Sequence, residues 1–161
     1  MKGKIIIIAD RSGSISESGK SEIEMNAIRA VRAWCMRNDA QTEIYAWSGT
    51  MKQALTGFAP CSGSADPAAL EQFCRKLPSG SSVLLLSDGS FTSDENAREI
   101  CRAAEKLHLF PVAVGADADR ENLRRISGWT ESNARVYEAA EVLDAVRKLS
   151  FRLAVEVGEC D

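Results

Sequence analysis

Two short apolar runs dominate the chain, and each ends on an acid. Lys4 to Ala9 carries four consecutive isoleucines and stops at Asp10, while Ser82 to Ser87 is built on Val83-Leu84-Leu85-Leu86 and stops at Asp88-Gly89. Apolar runs of this length, bounded by turn residues, predict strands buried on both faces of a parallel sheet. Thr42 to Trp47 predicts another strand. Beyond the turn Ser48-Gly49-Thr50, Met51 to Leu55 predicts a weaker antiparallel hairpin partner at the sheet edge. Phe110 to Val114 predicts a further strand, with Pro111, which has no N–H for the ladder, at its first position. Arg135 to Tyr137 predicts a last short strand.

Helical periodicity fills the intervals. A first helix is predicted from about Ser21 to Arg37, with Ser21 and Glu24 as a capping box and Ile23, Ala27, Ala30, Val31, Trp34 and Cys35 as its buried stripe. A second opens on Asp66 as N-cap and Pro67 at the first helical position, and turns Ala69, Leu70, Phe73, Cys74 and Leu77 inward. A third runs from about Asp94 to Leu107, capped by Ser93, with Ala97, Ile100, Cys101 and Ala104 inward. A short helix spans roughly Asp119 to Ile126. The last, Glu141 to Arg152, carries Val142, Leu143, Val146 and Leu149 on one face. Strands alternating with amphipathic helices imply an α/β fold, a doubly wound and mostly parallel sheet with helices on both faces and one antiparallel edge strand. Without repeat, low-complexity stretch or linker, residues 1–153 are expected to form a single domain, followed by a tail over 154–161.

Composition narrows the function classes. A length of 161 residues suits one domain with a real core. The net charge of −3, with no stripe of Lys and Arg, gives no reason to expect nucleic acid or an anionic membrane as partner. Met1-Lys2-Gly3-Lys4 is basic, but the apolar run behind it is too short for a signal peptide, and nothing approaches a membrane span. A cytoplasmic protein is expected. The five cysteines, odd in number and with no CxxC pair, make a poor disulfide framework and a poor zinc site. Cys35, Cys74 and Cys101 fall on apolar helix faces as small hydrophobes, and Cys61 and Cys160 in loop or tail.

The chemistry lies at the strand ends. In a parallel sheet a ligand sits beyond the carboxyl ends of the strands, at the point where the strand order reverses. Asp10 delivers a carboxylate there. Ser12 and Ser14, two residues apart around the flexible Gly13, can turn both hydroxyls toward one point. Asp88 brings a second carboxylate from another strand. If the two strands are neighbours, these groups form an all-oxygen nest for a small hard cation, Mg²⁺ above all, with Mn²⁺ as an alternative.

The run Ile5-Ile6-Ile7-Ile8-Ala9-Asp10-Arg11-Ser12-Gly13-Ser14 resembles the opening of a von Willebrand factor type A (VWA) domain, whose metal-ion-dependent adhesion site (MIDAS) begins with Asp-x-Ser-x-Ser. The third MIDAS motif, an aspartate after a central strand and usually before glycine, is matched by Asp88-Gly89. The middle motif is a threonine in a glycine-rich loop before a helix. Here Gly63-Ser64-Ala65-Asp66-Pro67 offers Ser64 in its place, with Ser62 as rival; serine keeps the hydroxyl ligand and loses the methyl that restricts its rotamer. The resemblance runs through the last helix. It implies a VWA fold, a metal held by Asp10, Ser12, Ser14, Ser64 and Asp88, and a role in binding rather than catalysis, in which a partner protein places an Asp or Glu on the metal. The size and expected location resemble prokaryotic stand-alone members, which work beside AAA+ ATPases or in other multi-protein systems.

Two other functions compete. A haloacid-dehalogenase-like Mg²⁺ phosphohydrolase also places an Asp after its first strand, but wants a second Asp two residues on, where this chain has Ser12, and no lysine is convincingly placed to hold phosphate. A metal-free scaffold with a degenerate site is the other. His108, the single histidine, is expected in solvent rather than as a base, and no GxSxG elbow, P-loop or dinucleotide fingerprint is present. Ser90 and Asp94 are read as shaping the loop and helix start after Asp88-Gly89, with a supporting place beside the site as the alternative. Arg11 either meets an acidic partner or points to solvent. Glu17 and Glu22 belong to a solvated face and a helix start. Trp34 is expected in the core; Trp47 and Trp129 pack or rim an interface.

Overall fold

The computed structural model describes residues 3–91, 94–127 and 135–149. Six strands make one sheet: β1 (Lys4–Asp10), β2 (Gln41–Trp47), β3 (Met51–Gln53), β4 (Ser82–Ser87), β5 (His108–Ala113) and β6 (Tyr137–Glu138). They lie in the order β3-β2-β1-β4-β5-β6. Every pairing is parallel except β2 with β3, so the antiparallel hairpin sits at the edge as expected. The helices are α1 (Lys20–Arg37), α2 (Pro67–Lys76), α3 (Asp94–Ala104), α4 (Arg120–Ile126) and α5 (residues 142–149). Among the described residues, no helix is long and apolar enough to cross a membrane.

The isoleucine run is buried on both faces because helices cover both. Ile6 and Ile8, with Val83 and Leu85 of β4, face a core closed by Leu70 and Cys74 of α2, Ala97 and Ile100 of α3, and Leu123 and Ile126 of α4. Ile5, Ile7 and Ala9, with Leu84 and Leu86, face the opposite core, closed by Ala27, Ile28, Val31 and Cys35 of α1 and by Val142, Ala145, Val146 and Leu149 of α5. With strand neighbours on each side and a helical layer on each face, β1 and β4 have no wet side, which is why neither alternates apolar with polar. Cutting a fully buried Leu85 or Ile8 to alanine removes about 2–5 kcal/mol.

β1 pairs with β2 on one side and with β4 on the other. The strand order reverses there, so the crevice between the carboxyl ends of β1 and β4 is the switch point.

Several local expectations are corrected. α1 starts at Lys20 behind a left-handed Gly19 (φ 72°), with no side-chain cap. The Ser21–Glu24 capping box does not form, because Glu24 turns inward to Arg11. The buried stripe rotates accordingly to Lys20, Glu24, Ala27, Ile28, Val31 and Cys35, leaving Ile23 exposed. β3 stops at Gln53, and Leu55 lies in solvent. α3 ends at Ala104, where Leu107 N–H bonds back to Ala104 and turns the chain into β5. Cys101 is half-buried rather than inward.

Pro111 sits inside β5, not at its start. The N–H groups of His108 and Val114 both donate toward β4, so the nitrogen of residue 111 faces the other way. β6 begins opposite Val112, and the missing donor therefore falls where no neighbouring strand has yet begun.

The Asp66 cap forms, with its carboxylate accepting from Ala68 N–H; Asp119 caps α4 in the same manner through Asn122 N–H. The last strand is displaced to Tyr137–Glu138. The expected Ser93 cap, Trp129, residues 150–152 of the last helix, the tail and Cys160 lie outside the described residues.

Candidate metal centre

The loop after β1 is tied to two neighbours by backbone bonds. Arg11 N–H donates to Trp47 O at 2.7 Å, Gly13 N–H to Gly63 O at 2.8 Å, and Ser62 N–H to Arg11 O at 3.1 Å. The 62–65 segment thus docks rung by rung on the Asp10–Ser14 loop, helped by left-handed Gly63 (φ 71°). Trp47, fully buried, donates its indole N–H to Asp66 O at 2.9 Å and fixes the start of α2 against β2. A cleft of about 330 Å³ opens at this junction, lined by Ser12, Ser14, Gly63, Ser64, Ala65, Ser90 and Phe91.

Asp10 stands behind Ser12 and does not itself line the cleft. It is fully buried, and both oxygens are occupied: Oδ1 accepts from Ser12 N–H at 2.9 Å and from Ser12 Oγ at 2.6 Å, and Oδ2 accepts from Ser87 Oγ at 2.7 Å. From Ser12 a file of oxygens leads outward. Ser12 Oγ lies 3.2 Å from Ser14 Oγ, and Ser14 Oγ lies 3.1 Å from Ser90 Oγ. Ser90 N–H in turn donates to Asp88 Oδ1 at 3.1 Å. Asp10, Ser12, Ser14 and Asp88 therefore meet at one place on the sheet rim. Ser64 lines the same cleft and Ser62 does not, although both are exposed.

The two carboxylates are tuned apart. Burial raises Asp10 above the usual carboxylate range, against the hydrogen bonds from Ser12 and Ser87, and the negative charge of Asp88 raises it further. Asp88 feels burial too, but hydrogen bonds from Ser14 and Ser90 and the ammonium of Lys20 outweigh it and hold its carboxyl below that range.

The Asp88 loop is clamped from the α4 side. Asp119 N–H donates to Asp88 O at 2.8 Å, and Asn122 donates its side-chain amide to Gly89 O at 3.0 Å. Gly89 has φ +76°, and a Cβ on it would lie 2.5 Å from Asp119 O. Only glycine permits this approach.

Arg11 turns inward rather than to solvent. Its guanidinium donates to Glu24 at 2.9 Å and to Ser21 at 3.2 Å, and stacks 4.7 Å over Phe58. It pins the 56–61 stretch to α1. His108 is half-buried at the first position of β5, the end of the sheet remote from Asp10.

Four residues were absent from the sequence-based set. Ser87 left a signal, a hydroxyl ending an otherwise apolar buried run. Ser90 takes the supporting place that the sequence offers as its alternative, continuing the row of hydroxyls beyond Ser14. Glu24 has capping-box spacing and meets Arg11 instead. Lys20, buried against Asp88 at 3.2 Å and Asp117 at 3.0 Å, left no local signal.

The donor set suits a hard dication. It consists of oxygen alone, two carboxylates and several hydroxyls, and the Oγ–Oγ spacings of 3.2 and 3.1 Å are close to the roughly 3.0 Å edge of an octahedron with metal–oxygen bonds of about 2.1 Å. Among the described residues no group of three or more His, Cys, Asp or Glu converges, so any metal here would rest on two carboxylates and the hydroxyls. A second carboxylate two residues after Asp10, as a phosphohydrolase would need, is replaced by the Ser12 hydroxyl.

No protein-family model and no curated protein matches the sequence. Solved structures do match. An aerotolerance-related membrane protein from Bacteroides fragilis superposes with a TM-score of 0.67 at 9% identity, covering 92% of this chain and 98% of that one. The manganese-loaded TRAP protein of Plasmodium vivax gives 0.64 at 14% identity, covering 92% and 73%. Both are VWA-domain proteins. The chain has a VWA-like fold. Proximal thread matrix protein 1 from the mussel byssus, with a zinc-occupied MIDAS motif, matches at 0.58 and 13% identity, over 94% of this chain and 46% of its own. This VWA-like chain thus spans about half the length of the mussel protein.

Proposed function

We propose that this VWA-like domain binds a partner protein through a divalent cation, Mg²⁺ or Mn²⁺, held by Asp10, Ser12, Ser14, Ser64 and Asp88 at the β1–β4 switch point. The observation that carries the reading is the row of oxygens from Asp10 through the Ser12, Ser14 and Ser90 hydroxyls, at spacings of 2.6–3.2 Å, which closes on Asp88 through the Ser90 N–H at 3.1 Å. That this arrangement sits on the same fold as the mussel protein with its zinc-occupied MIDAS motif and as manganese-loaded TRAP supports it.

A dication here would supply a Lewis-acidic position able to accept an anionic oxygen. Ser12 and Ser87 hold Asp10 in place inside the sheet and leave Oδ2 with a free lone pair. The hydroxyls are neutral and, among the described residues, no carboxylate lines the cleft, which supports a partner as the source of that oxygen. An Asp or Glu from a partner would meet a charge-assisted contact, partly shielded from water by Phe91 and the 63–65 wall. Turnover of a generic phosphoester in Mg²⁺ is expected to be nil.

Thermal melting in millimolar Mn²⁺ against EDTA tests the reading, because a ligand bound only to the native state raises its stability. A rise in melting temperature is expected in the wild type and should vanish in Asp10→Asn, and proteins retained on the immobilised chain in Mn²⁺ should be released by EDTA. Identical melts in both buffers for the wild type would favour a metal-free scaffold.

A further inference from the structure

Lys20 opens α1, yet its side chain runs inward and is 4% exposed. Its ammonium lies 3.2 Å from Asp88 Oδ2 and 3.0 Å from Asp117 Oδ1. Lysine is rarely buried unless paired, because its compact charge is strongly hydrated. The fold makes room for it. Gly115, at φ +95°, lies against the lysine stem, where an added Cβ would come within 3.0 Å of both Cγ and Cε of Lys20. The β5–α4 loop is shaped around this side chain. The two acids it touches differ: Asp88 is buried, whereas Asp117 is 67% exposed.

We propose that Lys20 is a built-in competitor of the divalent cation, a fixed positive charge on Asp88 that sets how tightly the site binds metal, with Asp117 restraining it from the solvent side. The proposal rests on the metal-site reading above. Asp88 Oδ2 is taken by Lys20, while its carboxylate also accepts from Ser14 and Ser90. A dication arriving at Ser12 and Ser14 meets an aspartate already partly neutralised, together with the repulsion of an ammonium held in a buried place where charges are weakly screened. Without Lys20, both carboxylate charges would be free for the metal. Without Asp117, the ammonium would rest on Asp88 alone.

A packing role predicts otherwise, since losing a buried lysine would loosen the Asp88 loop and weaken metal binding along with stability. Here stability and affinity should move in opposite directions. The test is calorimetric titration of Mn²⁺ into the full chain near neutral pH, with melting of the metal-free protein in EDTA. Lys20→Met should melt lower than wild type in EDTA and bind Mn²⁺ about tenfold more tightly, a change of about 1.4 kcal/mol. Lys20→Arg, which keeps the charge, should stay within about threefold of wild type, and Asp117→Asn should bind about threefold more weakly. In a Lys20→Met background the Asp117→Asn effect should disappear.

A folded Lys20→Met with equal or weaker Mn²⁺ affinity overturns the proposal. If Lys20→Met does not fold, Asp117→Asn decides alone, and an affinity equal to or above wild type overturns it. A wild type that takes up no Mn²⁺ overturns both this proposal and the metal site; a wild type that binds Mn²⁺ beside unchanged variants overturns only this one.

Discussion

Arg11 donates to Glu24 Oε1 at 2.9 Å, in a place where the glutamate side chain has no solvent exposure. Burial, with the charges of Asp10 and Asp88 adding to it, pushes the Glu24 carboxyl up to about 8 despite the pull of Arg11. From the ordinary 4.5 up to about 8 the native chain keeps a proton that the unfolded chain has lost. Stability from this group is full below that window and falls as pH rises through it, by at most about 1.4 kcal/mol per pH unit. Glu24→Gln mimics the protonated acid. It should match the wild type in acid, exceed it above pH 8, and show a shallower slope in urea melts across the range. Asp10, raised by burial, contributes a slope of the same sign that stays in the variant. A Glu24→Gln curve parallel to that of the wild type would contradict the assignment.

Ser64 and Ser62 differ in place. Ser64 lines the cleft with Ser12 and Ser14, whereas Ser62 lies outside that lining and donates its backbone N–H to Arg11 O. Ser64→Ala should weaken Mn²⁺ binding about tenfold, as expected for the loss of one hydroxyl ligand, and Ser62→Ala should leave it unchanged. The reverse ranking would move the middle ligand to Ser62.

Gly89→Ala addresses the clamp on Asp88. The new Cβ would strike Asp119 O in a backbone conformation that side chains rarely adopt. Overpacking of this kind costs about 1–3 kcal/mol, and the Asp88 loop must shift to relieve it. A lower melting temperature and weaker Mn²⁺ binding are expected together. A variant melting with the wild type would show that the loop yields freely.

Both the fold and the centre of the site were legible because they follow from local rules. Unalternating runs such as Ile5–Ala9 have few uses other than a doubly covered strand, and Asp66-Pro67 starts a helix for stereochemical reasons that need no neighbours. Asp10, Ser12, Ser14 and Asp88 could be placed together once two buried strands were taken as adjacent. What escaped depends on tertiary contacts. Ser21 and Glu24 have capping-box spacing, but a buried guanidinium competes for Glu24 more strongly than a solvent-exposed helix end. Pro111 argues locally for a strand start, yet the shortness of β6 leaves its missing donor harmless in mid-strand. Lys20 has the sequence context of a solvated helix start and reveals its partner only through the sheet.

The central claim is that Asp10 and Asp88, with the serines between them, form one cation site. Crystals grown in Mn²⁺ and measured for its anomalous scattering test it most directly. The account predicts a single strong peak between Asp10, Ser12, Ser14 and Asp88, facing Ser64, and no peak there in crystals of Asp10→Asn. Wild-type crystals without a peak at this position would contradict it.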